Sequence, residues 1–463
     1  MSFARTMQPA PRIAFGLAAL LWAGLIALLI AAVFSTRLGL RGDGLALAIG
    51  ALTLFVASIA MTFSLRYMRA NPRQAGFSIT VALLVAAILG FVFTRNLLVF
   101  AVAWCASGWL LARLIGHTSG WSEARAAARR SLTCFAIGDA ALLGAFALLG
   151  WHAGSLELDA VLAHVGAIPT ATVTAAALLL VVAAVARCAL PPFAGWLLTS
   201  MTAPTPVSAL MHAGFVNAGG FLLIRFAPVV EAAPAVRIIG TGLGLLGAIY
   251  GIGIMVVRPD IKRLLAGSTV SQMGFMIMCC GLGAYSAALW HIIAHGLFKA
   301  WLFLGAGSAI GTVPASRRHG ARDWRISLVV AAVALSIALV LALVGISSVA
   351  LIPGLLALAT AAVTLTGSIG GGLSARASFP LTGFLVALGA VNLLGLGIAA
   401  AAVGRDGPVL LDPWGNLAVL AILLGAWTWQ GFRQARGTIL PPAFYIYLLN
   451  AAALRTAGTG QPK

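Results

Sequence analysis

An all-α integral membrane protein of about fourteen transmembrane helices is the fold this sequence predicts, on three observations. Apolar residues make up 61% of the 463-residue chain and charged residues only 8%, with a mean hydropathy of +1.05. Apolar runs of about 18 residues or more, enough to cross a bilayer core, recur along nearly its whole length. Between them no stretch is long enough for a soluble domain of useful size.

The spans are placed at 13–35, 43–65, 76–94, 97–116, 131–150, 170–201 (interrupted) and 205–228, then at 235–257, 263–283, 286–311, 327–346, 348–369, 380–404 and 414–430. They read as a single polytopic domain, 1–463. The first run, Ile13 to Phe34, is too long for a signal-peptide core and is read as a retained helix. A short amphipathic segment, Ile439–Leu454, falls in a cytoplasmic tail over 439–463 and is suited to the interface. The formal net charge of +19 does not point to nucleic acid, because the basic residues sit mostly in short loops beside apolar segments. Loops carrying Arg66, Arg69 and Arg73, then Arg125, Arg129 and Arg130, then Arg258, Lys262 and Arg263, then Arg317, Arg318, Arg322 and Arg325 alternate with less basic ones. That bias puts both termini in the cytoplasm.

The helical pattern breaks at Arg187-Cys-Ala-Leu-Pro191-Pro192-Phe-Ala-Gly195. Consecutive prolines cannot continue the backbone ladder, so carbonyls near Arg187 are freed and need an interior or hydrated setting. Thr205 and Pro206 open the next span as cap and first-turn residue. A glycine-rich stretch, Gly367 to Gly372, reads as a linker.

Few polar groups lie at the predicted membrane depth, and those few are the candidate cation pathway. His291, His295 and Lys299 stand four apart on one helix face, covering roughly 12 Å of axis. Of the 29 basic residues only Lys262, Lys299 and Lys463 are lysines, the other 26 being arginines. Lys299 is the one lysine deep in an apolar segment, where an ammonium can exchange its proton as a guanidinium cannot. His212 follows the proline break and joins this polar axis, or else is a lone core histidine. Asp139, the one acid placed well inside a span, needs a proton or a cation, and Arg187 is the natural partner. Such a pair is either a switch at one end of a proton path or a static tie between two helices. Ser268, Ser271 and Gln272 are supporting hydrogen-bonding neighbours. His117, His152, His164 and His319 fall in loops.

Catalytic and metal chemistry find no foothold here. The five cysteines (Cys105, Cys134, Cys188, Cys279, Cys280) lie in apolar segments without CxxC pairs, so no metal site and no cofactor are expected in this chain. There is no phosphate loop, dinucleotide fingerprint, nucleophile elbow or HExxH. The chain is therefore read as a non-enzyme whose chemistry beyond ion movement belongs to a partner.

Three blocks carry a family resemblance. Pro192-Phe-Ala-Gly-Trp196-Leu-Leu-Thr-Ser-Met201-Thr-Ala-Pro204-Thr-Pro206-Val-Ser-Ala-Leu-Met-His212 resembles the signature of proton-translocating antiporter-like subunits. These include the large membrane subunits of respiratory complex I and of Mrp-type sodium/proton antiporters. Asp260-Ile-Lys262-Arg263-Leu-Leu-Ala-Gly-Ser268-Thr-Val-Ser271-Gln272-Met-Gly and His291 through Gly307 are similar to two further blocks, and the likeness covers roughly 95–310. It implies two inverted five-helix repeats, an interrupted helix in each and a polar axis at the midplane. The departures are specific. Cys105 stands where the family has a Glu, Arg187 stands where it has a Lys, and no late Lys or Glu occurs around 348–369. Met211-His-Ala-Gly-Phe-Val-Asn217-Ala-Gly-Gly220-Phe-Leu-Leu-Ile-Arg225 is most like the membrane subunit of two-component inorganic-carbon accumulation systems, the Dab type. That likeness implies a bacterial inner-membrane location and a large cytoplasmic partner with a zinc site similar to β-carbonic anhydrases. The zinc would lie in that partner, membrane lipid would be the other contact, and nucleic acid is not a partner.

The leading reading is an energy-coupling subunit of an inorganic-carbon uptake complex, in which cation flux drives CO2 hydration by the partner. The alternative is a subunit of a respiratory NADH dehydrogenase, hydrogenase or Mrp-type antiporter. A third is a passive scaffold for a peripheral enzyme.

Overall fold

The computed structural model describes residues 9–37, 43–257, 260–306, 324–346, 348–359, 375–436 and 441–450. Among these, helices α1 (Pro9–Arg37), α2 (Gly44–Tyr67), α3 (Gln74–Phe93), α4 (Leu97–Ile115), α5 (Ser122–Ala153), α6 (Leu158–His164) and α7 (Thr170–Arg187) come first. Then follow α8 (Gly195–Thr199), α9 (Thr205–Ala213), α10 (Ala218–Arg225), α11 (Ala227–Glu231), α12 (Pro234–Val257), α13 (Ile261–Leu282), α14 (Tyr285–Gly305) and α15 (Trp324–Leu343). A helix over 351–359 (α16), then α17 (Ala375–Val403), α18 (Pro413–Arg436) and α19 (Pro442–Asn450) complete the described chain.

Eleven helices among the described residues are long and apolar enough to cross a membrane, and they coincide with the first eleven predicted spans. The other three predicted spans fall on α16, which leaves the described residues after 359, and on α17 and α18. The protein is a multi-pass membrane protein. Helix starts follow ordinary capping: Asp43 accepts from Ala46 N at 3.0 Å, Asn96 from Leu98 N at 2.9 Å, and Asp260 from Arg263 N at 2.9 Å. Thr205 is not a cap. It opens α9 behind Pro204 and donates its hydroxyl to the Tyr67 hydroxyl at 3.3 Å.

The described residues pack as two compact units. The first holds α1 through α11 and the part of α14 from Ile292 onward; the second holds α12, α13, the start of α14 and α15 through α19. In the first unit the core is aromatic, with Phe91, Phe100, Trp104, Phe146, Phe221 and Phe226 in mutual ring contact. In the second, α12 and α13 approach closely, since a Cβ on Gly244 or Gly274 would run into the backbone of the facing helix. There Arg237, 3% exposed, donates to the carbonyls of Gly281, Leu282 and Pro408 at 3.0, 3.0 and 2.7 Å. It closes the C-terminus of α13 and ties down the segment before α18. From that segment Asp406 accepts from Ser286 N at 2.8 Å in the first turn of α14, where a carboxylate complements the helix dipole.

Two helices of the first unit are broken. The chain leaves α7 at Arg187, passes Ala189 at φ +56° and the two prolines, and resumes helix at Gly195. The Ala186 carbonyl at the end of α7 accepts from the Trp196 indole N–H at 2.9 Å, which ties the resumed helix back to the broken one inside the protein. The span predicted as continuous over 205–228 is also interrupted. Helix α9 ends at Ala213, a single 3₁₀ turn covers Phe215–Asn217, and α10 begins at Ala218. The interruption is local chemistry: Gly214 leaves helical geometry, and the Asn217 side-chain amide donates to the Ala213 carbonyl at 2.8 Å.

Candidate functional site

Asp139 and Arg187 meet. Arg187 Nη2 lies 3.2 Å from Asp139 Oδ1 and 3.0 Å from the Trp104 carbonyl, while Nη1 donates to Ser107 Oγ at 3.3 Å. The guanidinium carbon is 4.2 Å from the Trp104 ring centroid, 4.5 Å from that of Phe215 and 5.3 Å from that of Phe135. At 2% exposure, Arg187 is a cation held by one carboxylate, one hydroxyl, one carbonyl and three ring faces. The helices close around it because they are small where they touch. A Cβ on Gly138 would meet Ala186 Cβ at 2.9 Å, and one on Gly108 would lie 3.1 Å from Arg187 Nη1. Cys105, at the position where the resembled family has its acid, neighbours Asp139. The carboxylate near this point is therefore supplied from α5 and not from α4.

The second cluster lies on α9 and α14. His212 is fully buried, and its ring stacks on Phe303 with centroids 4.2 Å apart. Lys299, 1% exposed, is an electrostatic neighbour of His212, and His295 is 3% exposed one turn before it. Gly296 lets α14 close on the end of α9, since a Cβ there would lie 2.8 Å from the Ala213 carbonyl. His295, Lys299 and His212 thus gather in the first unit at a helix break. Phe215, whose ring faces Arg187, sits three residues beyond His212, so an aromatic ring and not a polar side chain separates the two clusters on that strand of chain.

His291 belongs to the second unit, where its ring meets Phe275 at 5.1 Å. Ser268 donates to the Leu265 carbonyl of its own helix at 2.9 Å, and Ser271 and Gln272 are half-buried on the same helix. Among the described residues no group of three or more His, Cys, Asp or Glu is placed to hold a metal ion.

One network was missed. Asp43 pairs with Arg225 and, at 3.5 Å, with Arg95; Arg225 also donates to the Val92 carbonyl at 3.1 Å, and Arg95 reaches Asp159 at 2.7 Å. This ties together the starts of α2, α4 and α6 and the ends of α3 and α10. The signal was present, because Arg225 falls within the span predicted over 205–228 and a charge there asks for a partner. His117 lies in the loop between α4 and α5, as expected, with its Nε2 3.3 Å from the Asn71 amide nitrogen and its ring edge-on to Phe77. Burial, together with the Arg73 guanidinium, holds its imidazole below the usual histidine range.

The described chain is thus a helical membrane bundle with a buried Asp–Arg pair and a histidine–lysine file at a helix break. Residues 94–386 match the NADH:quinone oxidoreductase/Mrp antiporter transmembrane family, and the chain belongs to it. It is 40% identical over 269 residues to the probable inorganic carbon transporter subunit DabB1 of Halothiobacillus neapolitanus, covering 56% of this chain and 48% of that one. It is 32% identical over 438 residues to DabB2 of the same organism, covering 90% and 78%. The match to DabB1 thus spans about half of that relative's length. The structure of the Mrp complex from Dietzia sp. DQ12-45-1b superposes with a TM-score of 0.56 at 25% identity, covering 89% of this chain and 48% of that chain.

Proposed function

We propose that this chain is the cation-conducting, energy-coupling membrane subunit of an inorganic-carbon uptake complex. The observation that carries the reading is Lys299, buried to 1% on α14 one turn from the buried His295 and beside His212. An amine in that position can exist charged or neutral, and neighbouring imidazoles can pass its proton on. Protons are the cation these groups suit. In this reading Asp139 is the carboxyl that takes and returns a proton at one end of the path, while Arg187 stays charged and holds its place. His212, His295 and Lys299 form the central relay, with His291 as its continuation along α14. Lys299 alternates between its two charge states as protons run down their gradient.

The carbon substrate is proposed from the likeness to the inorganic carbon transporter subunits. A large cytoplasmic partner, similar to β-carbonic anhydrases, would hold zinc and hydrate CO2 in one direction, and the membrane chain would drive it. The membrane is the bacterial inner membrane, with both termini on the cytoplasmic side where the basic loops lie. The structure puts Arg125, Arg129 and Arg130, expected in a loop, in the first turns of α5, and the partner surface is assigned to those turns together with the segment over 317–325, most of which lies outside the described residues. Lys299→Ala should lower uptake by roughly 10²-fold while the complex still assembles; normal uptake in that variant would sink the proposed role.

The second reading, a subunit of a respiratory or Mrp-type antiporter complex, is favoured by the Mrp complex likeness. Co-purification in mild detergent separates them. One large zinc-bearing partner supports carbon uptake, and a set of flavin or iron–sulfur subunits overturns it.

A further inference from the structure

In the first unit a small cavity lies against the break between α9 and α10. Its polar side chains are Thr53 and Asn217; Ile88, Phe91, Phe221 and Ile292 supply apolar wall, and Gly214 brings interrupted backbone to the same surface. The cavity is of a size to hold no more than a single water. Asn217 is 3% exposed, and its amide nitrogen is spent on the Ala213 carbonyl. Its Oδ1 is buried with no hydrogen-bond partner among the described residues. Dry cavities in proteins are apolar, and a buried amide oxygen left without a donor is costly. Thr53, 4% exposed, offers a hydroxyl that can both donate and accept.

We propose that this cavity binds one ordered water, which donates to Asn217 Oδ1 and shares a hydrogen bond with the Thr53 hydroxyl. The position gives the water a use. Ile292 lines the cavity and Gly296 abuts the Ala213 carbonyl, so His295 lies on the stretch of α14 that passes the break. Two helices lead from this point to the Asp43–Arg225 pair: Thr53 is ten residues along α2 from Asp43, about 15 Å, and Asn217 precedes Arg225 by eight, about 12 Å. Phe91 and Phe221, with ring centroids 5.9 Å apart, stand in the cavity wall. The water is thus a polar step beside the relay, stopped by an aromatic pair from running on as a continuous wire. The binding site stands apart from the transport reading, whereas the use as a proton step rests on it.

Radiolytic hydroxyl-radical labelling of the full chain in its complex, in lipid nanodiscs, tests both. Water bound in the cavity should label Phe91 and Phe221 despite their burial, and a Thr53→Val/Asn217→Leu double variant should lose that label several-fold. Trp121, exposed at the start of α5, should label equally in both and reports an intact fold. Unlabelled Phe91 and Phe221 in the parent chain, or equal labelling in the double variant, overturns the site. Carbon uptake by cells expressing the same parent and double variant should fall with the label; unchanged uptake with lost label overturns the proton step and leaves the water site standing.

Discussion

Arg187 and Lys299 are both cations buried to 2% or less in the same unit, and they are built in opposite ways. Arg187 has a carboxylate, a hydroxyl, a carbonyl and three aromatic faces around a planar group that does not give up its proton. Lys299 is a flexible amine among imidazoles at a helix break. Arg225 and Arg237 likewise fasten backbone, tying carbonyls at helix ends, those of Val92 and of Gly281 and Leu282. The lesson is a division of labour. Arginine fastens the bundle where the backbone is broken or ends, and in the proposed reading the buried Lys299 carries the charge transfer.

The comparison breaks most visibly at Lys299. Lys299→Ala should lower uptake by roughly 10²-fold, the low end of what a positioned proton-transfer group contributes, with Lys299→Arg giving no rescue. Uptake by the Lys299→Arg variant equal to the parent would erase the distinction between the two cations. Asp139→Ala should cost about 3 kcal/mol of stability by stranding the Arg187 charge, and an Asp139→Leu/Arg187→Met double variant should recover most of it. Thermal unfolding in detergent reads this, and a double variant as unstable as the single one would show that the pair does more than fasten. Arg237→Met leaves three carbonyls without their donor and should cost about 2 kcal/mol by the same measurement, without touching uptake per assembled complex.

The smallest effect is at His117. Its imidazole sits below the ordinary value of 6.5 in the folded chain, so the unfolded chain binds the proton first as pH falls. Stability is therefore full above about pH 6.5 and declines as pH drops from there toward the folded value. His117→Gln should flatten that dependence, by no more than about 2 °C in Tm, since the site is only half-buried.

The helical membrane fold was legible because bilayer thickness dictates length and apolarity dictates placement; the first eleven predicted spans and the proline break at Pro191–Pro192 lie where they were expected. The second break was not legible. Gly214 and Asn217 are unremarkable in an apolar run until the Asn217 amide is seen taking the Ala213 carbonyl. The candidate site divides likewise. His295 and Lys299 could be read from one helix face, whereas Asp43, Arg95 and Arg225 sit far apart in sequence and show their purpose only when paired.

By itself, then, the amino-acid order determined what local rules can carry: spans, their alternation, helix breaks at proline, and the scarcity of ionisable groups at depth. Which acid meets which base was decided only by the tertiary structure. Asp139 reaches Arg187 across 48 residues, and Arg225 reaches Asp43 across 182. The physical reason is that a charge in a low-dielectric interior must be matched within a few ångströms, and sequence separation carries no information about that distance.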